Sequence, residues 1–167
     1  MNFYLAVLKK YAVFTGRSTR QEFWMYMLIN VIISIVLSIL DTLVGTVYSY
    51  HMPDGTPVKL GGLLQNLYGL AVFIPGLAVQ VRRLHDVNKS GKLLLLFLVP
   101  VVVAVWAALS VSIAMLFVVY LVLLGFVIWI IVLFSTKGTV GPNKYGEDPE
   151  GGGFKFSFEE DEPKDGE

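Results

Sequence analysis

Residues 93–134 contain no charged side chain. Written as one helix, those forty-two residues would reach about 63 Å at a rise of ~1.5 Å each. A hydrocarbon core is only ~30 Å thick, and about 20 apolar residues cross it. The run is therefore expected to hold two membrane spans, with a reversal at 107–112, its least bulky and most polar part. A single very long tilted helix is the competing reading. Either way an ordinary soluble domain is excluded. The chain is 55% hydrophobic and 16% charged, where soluble domains run at roughly 45–50% and about 25%.

Two further apolar runs come earlier. The first, 23–48, begins with Trp24 and Tyr26 and ends with Tyr48 and Tyr50, the aromatic belts of a spanning helix. Before it, Thr15-Gly16 breaks the chain. Ser18 or Thr19, with Gln21 or Glu22 three residues later, forms a capping box that starts the helix. The turn-rich loop 51–59 follows, with Pro53, Asp54-Gly55 and Pro57. The second run, 60–81, contains Pro75, which frees a backbone carbonyl for neighbours to satisfy.

The predicted fold is an all-α membrane protein with four transmembrane helices, at 23–48, 60–81, 93–109 and 113–134. Ahead of them Phe3, Tyr4, Val7, Leu8 and Tyr11 recur at helical spacing with Lys9-Lys10 off the stripe. That stretch is too short to span, so it reads as an interfacial amphipathic helix or as the frayed start of the first span. It lacks the pattern of a cleavable signal and reads as retained. Residues 1–146 form the membrane domain. Residues 147–167 form an acidic tail expected to be disordered; otherwise Phe154, Phe156 and Phe158 touch the interface.

Net charge is zero, yet residues 1–146 carry eleven Lys/Arg against four acids, while 147–167 carry two against nine. Lys9, Lys10, Arg17 and Arg20 precede the first span; Arg82, Arg83, Lys89 and Lys92 follow the second; Lys137 and Lys144 follow the last. Only Lys59 lies on the other side. The positive-inside rule then puts both termini and the middle basic segment in the cytoplasm.

Polar residues form seams inside the spans. Asn30, Ser34, Ser38, Asp41 and Gly45 make one stripe; Gly62, Asn66, Gly69, Gly76, Gln80 and Arg83 make another. Such stripes let helices approach and hydrogen-bond. Antiparallel pairing would bring Asp41 to Asn66 and Asn30 to Gln80 and Arg83. Asp41 then serves helix packing, sits harmlessly at the interface, or works in transport or a proton relay.

The middle basic segment reads Arg82-Arg83-Leu84-His85-Asp86-Val87-Asn88-Lys89-Ser90-Gly91-Lys92. Adjacent His85 and Asp86 diverge by about 100° on a helix (3.6 residues per turn), so Asp86 cannot orient His85 in a triad. His51 is the only other histidine and is expected on the opposite side, and the chain has no cysteine. A zinc or iron site needs three or four converging ligands. No catalytic residue, metal or cofactor is expected. The segment is then either a topogenic basic loop or a site for anionic headgroups, which paired arginines suit.

Three stretches together resemble a bacterial family of small inner-membrane proteins, domain of unknown function 805. They are Phe14-Thr-Gly-Arg17-Ser-Thr-Arg20-Gln-Glu22-Phe-Trp24, then Arg82-Arg83-Leu84-His85-Asp86 with Ser90-Gly91, then Gly141-Pro142-Asn143-Lys144-Tyr145-Gly146. The resemblance covers roughly residues 1–149 and implies an inner-membrane location with no known activity. Lys92-Leu93 stands where the family usually has tryptophans, and 93–134 is longer than its usual stretch. All three motifs fall on the predicted cytoplasmic side. One cluster of Arg17, Arg20, Glu22, Arg82, Arg83, His85, Asp86, Asn143 and Tyr145 is therefore expected, either stapling the bundle or holding a headgroup. Expected contacts are membrane lipids, anionic ones among them, and a second copy or a protein partner, without nucleic acid. The competing function is a small transporter or channel component using Asn30, Ser34, Ser38, Asp41, Asn66 and Gln80.

Overall fold

Thr19 accepts a hydrogen bond from the Glu22 amide at 3.1 Å and so starts the first long helix. The computed structural model describes residues 3–52, 54–110 and 113–151. Within them run α1 (Phe3–Lys9), α2 (Arg20–Val44), β1 (Val47–His51), β2 (Pro57–Gly62), α3 (Leu63–Asp86), α4 (Leu98–Ser110) and α5 (Ile113–Ser135), with a 3-10 segment Gly91–Phe97 leading into α4. Three helical stretches are long and apolar enough to cross a membrane: Arg20–Val44, Leu63–Asp86 and Phe117–Ser135; Gly91–Trp106 is a shorter apolar helix. Their apolar side chains are left uncovered by protein, with Leu43 76%, Leu70 72% and Val102 65% exposed. An apolar surface of that extent calls for lipid.

The expected helix 23–48 is shorter than predicted. Gly45 adopts φ +75°, a left-handed turn that ends α2. The chain then extends as Val-Tyr-Ser-Tyr-His, residues that favour a strand. β1 pairs antiparallel with β2, from Val47 opposite Gly62 to His51 opposite Pro57. The segment expected as a loop is thus a hairpin, and the chain is mostly rather than wholly helical. α3 begins at Leu63 and runs on to Asp86, five residues past the expected end, so Arg82 to Asp86 lie on the helix.

Asp41 explains how α2 meets α3. Gly62, the N-cap of α3, supplies no side chain. The Asp41 carboxylate instead accepts the Leu64 and Gln65 amides at 3.0 Å each and the Thr46 hydroxyl. An acid from one helix thereby caps the next and complements its dipole. A Cβ at Gly62 would fall on that carboxylate, so glycine is required there. The expected Asp41–Asn66 contact is replaced: the Asn66 amide donates to the Tyr48 hydroxyl.

Pro75 lies inside α3 and cannot donate to the Ala71 carbonyl. Tyr11 donates there at 2.7 Å, and Tyr26 donates to the Val72 carbonyl at 3.2 Å. Asn30 is used nearby, accepting from the Tyr68 hydroxyl at 2.6 Å and donating to the Tyr26 carbonyl at 2.8 Å, rather than reaching Gln80 or Arg83. Tyr4 joins this network through Tyr68 at 3.0 Å and stacks on Tyr26. α1 therefore turns its apolar stripe, with Val7 fully buried, onto α2 and α3.

α4 and α5 fold back on each other, since the Phe97 and Phe126 rings meet edge to face at 5.5 Å. α4 ends at Ser110 and α5 starts at Ile113. The reversal expected at 107–112 takes in residues 111 and 112, which lie outside the described residues. The core lies at one end of the molecule, where Val7, Phe23, Tyr26, Val79, Leu84 and Phe134 are buried together. The Phe23 and Phe134 rings stack there at 4.6 Å.

Candidate functional site

Beside that core, four charged residues are almost fully buried: Arg17, Arg82, Arg83 and Asp86. Burying a charge is tolerable only when it is paired and hydrogen-bonded. Arg17, Arg83 and Asp86 meet that condition, and Arg82 meets it in part. Asp86 splits its carboxylate, with Oδ1 taking the Arg17 Nε–H at 2.9 Å and Oδ2 pairing with Arg83. All three arginines also donate to backbone carbonyls, but the buried Nε and Nη2 of Arg82 have no hydrogen-bond partner among the described residues. Arg83 donates to the carbonyls of Phe134 at 3.1 Å and of Thr136, at the end of α5. Arg82 donates to Val13 at 2.7 Å and Lys10 at 3.3 Å, just beyond α1. Arg17 donates to Gly141 at 2.6 Å and to Thr139. The planar fork lets one guanidinium serve a carboxylate and carbonyls together. Positive charge at a helix C-terminus also opposes its dipole.

The loop after α5 closes the site. Thr139 donates its amide and hydroxyl to the Asp86 carbonyl at 2.9 and 3.0 Å. Asn143 donates to the His85 carbonyl at 3.0 Å and to the Thr139 hydroxyl at 2.7 Å. The His85 ring lies flat on Tyr145, centroids 3.8 Å apart, and its Nδ1 donates to the Gly16 carbonyl at 3.1 Å. Asp148 accepts the Gly141 amide at 2.9 Å and lies 3.9 Å from Arg17. Hydrogen bonds from the Glu150 and Gly141 amides hold the Asp148 carboxyl below its ordinary range.

Most of the expected cluster is thus in one place. Glu22 faces Arg82 at 3.6 Å rather than closing the capping box onto Thr19. Asp86 pairs with Arg83 one turn back, not with Arg82. Arg20 stands apart: among the described residues it makes no hydrogen bond or ion pair, and it lines an open cleft with Trp24 and Ser135. Ser34, Ser38 and Gln80 flank shallow clefts along α2 and α3. Sequence reasoning missed Thr139 and Asp148 here, and the hydrogen bonds of Tyr4, Tyr11, Tyr26 and Tyr68 beside Pro75. The tyrosines had a signal, because a phenol in an apolar helix seeks a partner and Pro75 offers one.

The site holds no nucleophile beside a base, and among the described residues no three His, Cys, Asp or Glu side chains gather as a metal site. What it can do is hold chain segments together. Inner membrane protein YhaI of Escherichia coli K12 is 38% identical over 152 residues, covering 91% of this chain and 98% of that protein. Inner membrane protein YhaH of the same strain is 37% identical over 151 residues, covering 89% and 97%. No solved structure matches. The model of the family described as protein of unknown function (DUF805) matches residues 11–147, which takes in all three motif stretches and the clamp from Arg17 to Tyr145, with Asp148 just beyond it, and the chain belongs to that family.

Proposed function

We propose that this is a four-span protein of the bacterial inner membrane, with both termini in the cytoplasm, that works without catalysis. Its cytoplasmic end is a structural clamp of buried arginines, and its working contacts are membrane lipids and a second copy or protein partner. One observation carries this reading: Arg83 on α3 donates to the Phe134 carbonyl at the end of α5. The ends of α3 and α5 therefore lie at one level. The chain between them must leave that level and return. Gly91–Ser110, seven 3-10 residues and thirteen α residues, spans roughly 33 Å at ~2.0 and ~1.5 Å per residue, enough for a ~30 Å core. Ten of the eleven Lys/Arg in 1–146 flank the clamp end, which supports its cytoplasmic placement.

The absence of cysteine makes the test simple, because each introduced thiol is unique. With a membrane-impermeant maleimide on intact cells, His51→Cys labels at once, while Asn88→Cys and Lys144→Cys label only after lysis. Labelling of Lys144→Cys from outside would remove the fourth span.

A second reading is transport. The clefts beside Asn30, Ser34, Ser38 and Gln65, and beside Tyr68 and Gln80, share Asn30 and Ser34 and follow α2 for much of its length. Asp41 is fully buried and spent on capping α3, which weighs against a proton relay. Ser34→Cys and Ser38→Cys decide: rapid labelling by the impermeant reagent favours an aqueous path, and protection favours the clamp reading.

A further inference from the structure

A large cleft lies at the start of α2. It is open, about 860 Å³, and lined by Phe3, Arg20, Trp24, Met25, Ser135 and Glu150 among others. Its charges differ from those of the clamp. Arg17 and Arg83 are engaged by carbonyls, Asp86 and Asp148, while Arg82 holds two carbonyls, lies 3.6 Å from Glu22 and is buried away from the cleft. Arg20 and the Glu150 side chain both border the cleft; among the described residues neither makes a side-chain hydrogen bond or an ion pair, although both act on the charge of Arg83 from a distance. The headgroup expectation, which took in Arg17, Arg20, Arg82 and Arg83 together, thus narrows to Arg20.

Below Arg20 the wall turns apolar. Trp24 and Met25 are exposed, and Leu28 and Ile32, at four-residue steps from Trp24, are 53% and 52% exposed. The cleft therefore offers a cation and an anion beside Trp24 and Met25, and an exposed apolar track continues from it down the spanning helix. A free phosphate would use the cation alone. A lipid carrying only a negative headgroup would leave Glu150 facing it.

We infer that this cleft binds a phospholipid bearing a primary ammonium, with its phosphodiester on Arg20, its ammonium on Glu150 and an acyl chain along Trp24 and Leu28. The guanidinium offers a planar fork for phosphate oxygens, and Ser135 adds a hydroxyl donor. The carboxylate prefers an ammonium with N–H donors over a trimethylated one, which has none. Tryptophan at the boundary anchors the glycerol region. The inference rests on the membrane reading above, and its test is independent of the thiol labelling, so the two can fail separately.

The full chain is reconstituted in nanodiscs of equal phosphatidylethanolamine, phosphatidylcholine and phosphatidylglycerol, and the lipids it retains are read by native mass spectrometry. The wild type should keep phosphatidylethanolamine over phosphatidylcholine by about tenfold, the size of one charge-assisted hydrogen bond. Arg20→Ala should lower retention of all three lipids. Glu150→Gln, at an exposed loop position outside the clamp, should abolish the preference while leaving phosphatidylcholine retention unchanged; it reports even where Arg20→Ala fails to fold. Equal retention of the ethanolamine and choline lipids by the wild type overturns the inference. So does a preference for phosphatidylglycerol, or displacement of the lipid by soluble phosphoethanolamine alone.

Discussion

Asp86 serves two arginines from different parts of the chain, one oxygen to Arg17 and the other to Arg83. Its side chain is only 5% exposed. Removing it strands two guanidinium groups in the interior, and breaking a buried pair in that way costs roughly 3–5 kcal/mol. Asp86→Ala should therefore lower unfolding free energy in mixed micelles by about that amount, whereas Arg20→Ala, outside the clamp, should change it little. Asp148 gives a pH signature. Its carboxyl titrates below the ordinary value because the Glu150 and Gly141 amides, and Arg17 beside it, favour the charged form. A depressed carboxyl contributes stability above its unfolded pKa of ~3.9 and loses it as pH falls through the lower folded value. Amide protection of residues 139–148, taken against the intrinsic exchange rate at each pH, should be high at neutral pH and fall on acidification below about pH 4, and Asp148→Asn should show low protection at every pH. Slow exchange in Asp148→Asn at neutral pH would contradict the role given to it.

Two helix ends are completed by a side chain from another segment: Asp41 caps the start of α3, and Arg83 caps the end of α5. Asp41→Ala should cost about 1–2 kcal/mol, the range of a lost N-cap. Gly62→Ala, which drives a methyl into that carboxylate, should cost at least as much; thermal unfolding in detergent reads both. Tyr11→Phe leaves the Ala71 carbonyl, freed by Pro75, without its donor, an effect of about 1 kcal/mol. The existence and order of the helices were legible from apolar runs, Pro75 and the capping signal at Thr19. The hairpin was not, because Val47–His51 continues the apolar and aromatic character of α2 and only the left-handed Gly45 separates them. Asp41 was legible as a packing residue, but its acceptors are main-chain amides, which leave no mark on side-chain identity.

At the scale of the molecule, α2 with α3 and α4 with α5 form two helix pairs. They meet at one end through Phe23 on Phe134, Arg83 on the end of α5, and the 3-10 segment against α3. The grouping of three distant basic stretches could be read from charge asymmetry, since all were expected on one side. The division of labour among the arginines could not: Arg17, Arg82 and Arg83 are buried while Arg20 is left at the rim. That difference depends on helix phase and on a loop whose path no periodicity reveals. The clamp joins the segment before α2, the end of α3 and the loop after α5. Its central contact is Arg17 with Asp86, sixty-nine residues apart. A double-mutant cycle on Arg17→Ala and Asp86→Ala, followed by unfolding in mixed micelles, measures that contact directly. The clamp predicts a coupling of about 1–3 kcal/mol between the two sites; strictly additive effects would contradict it.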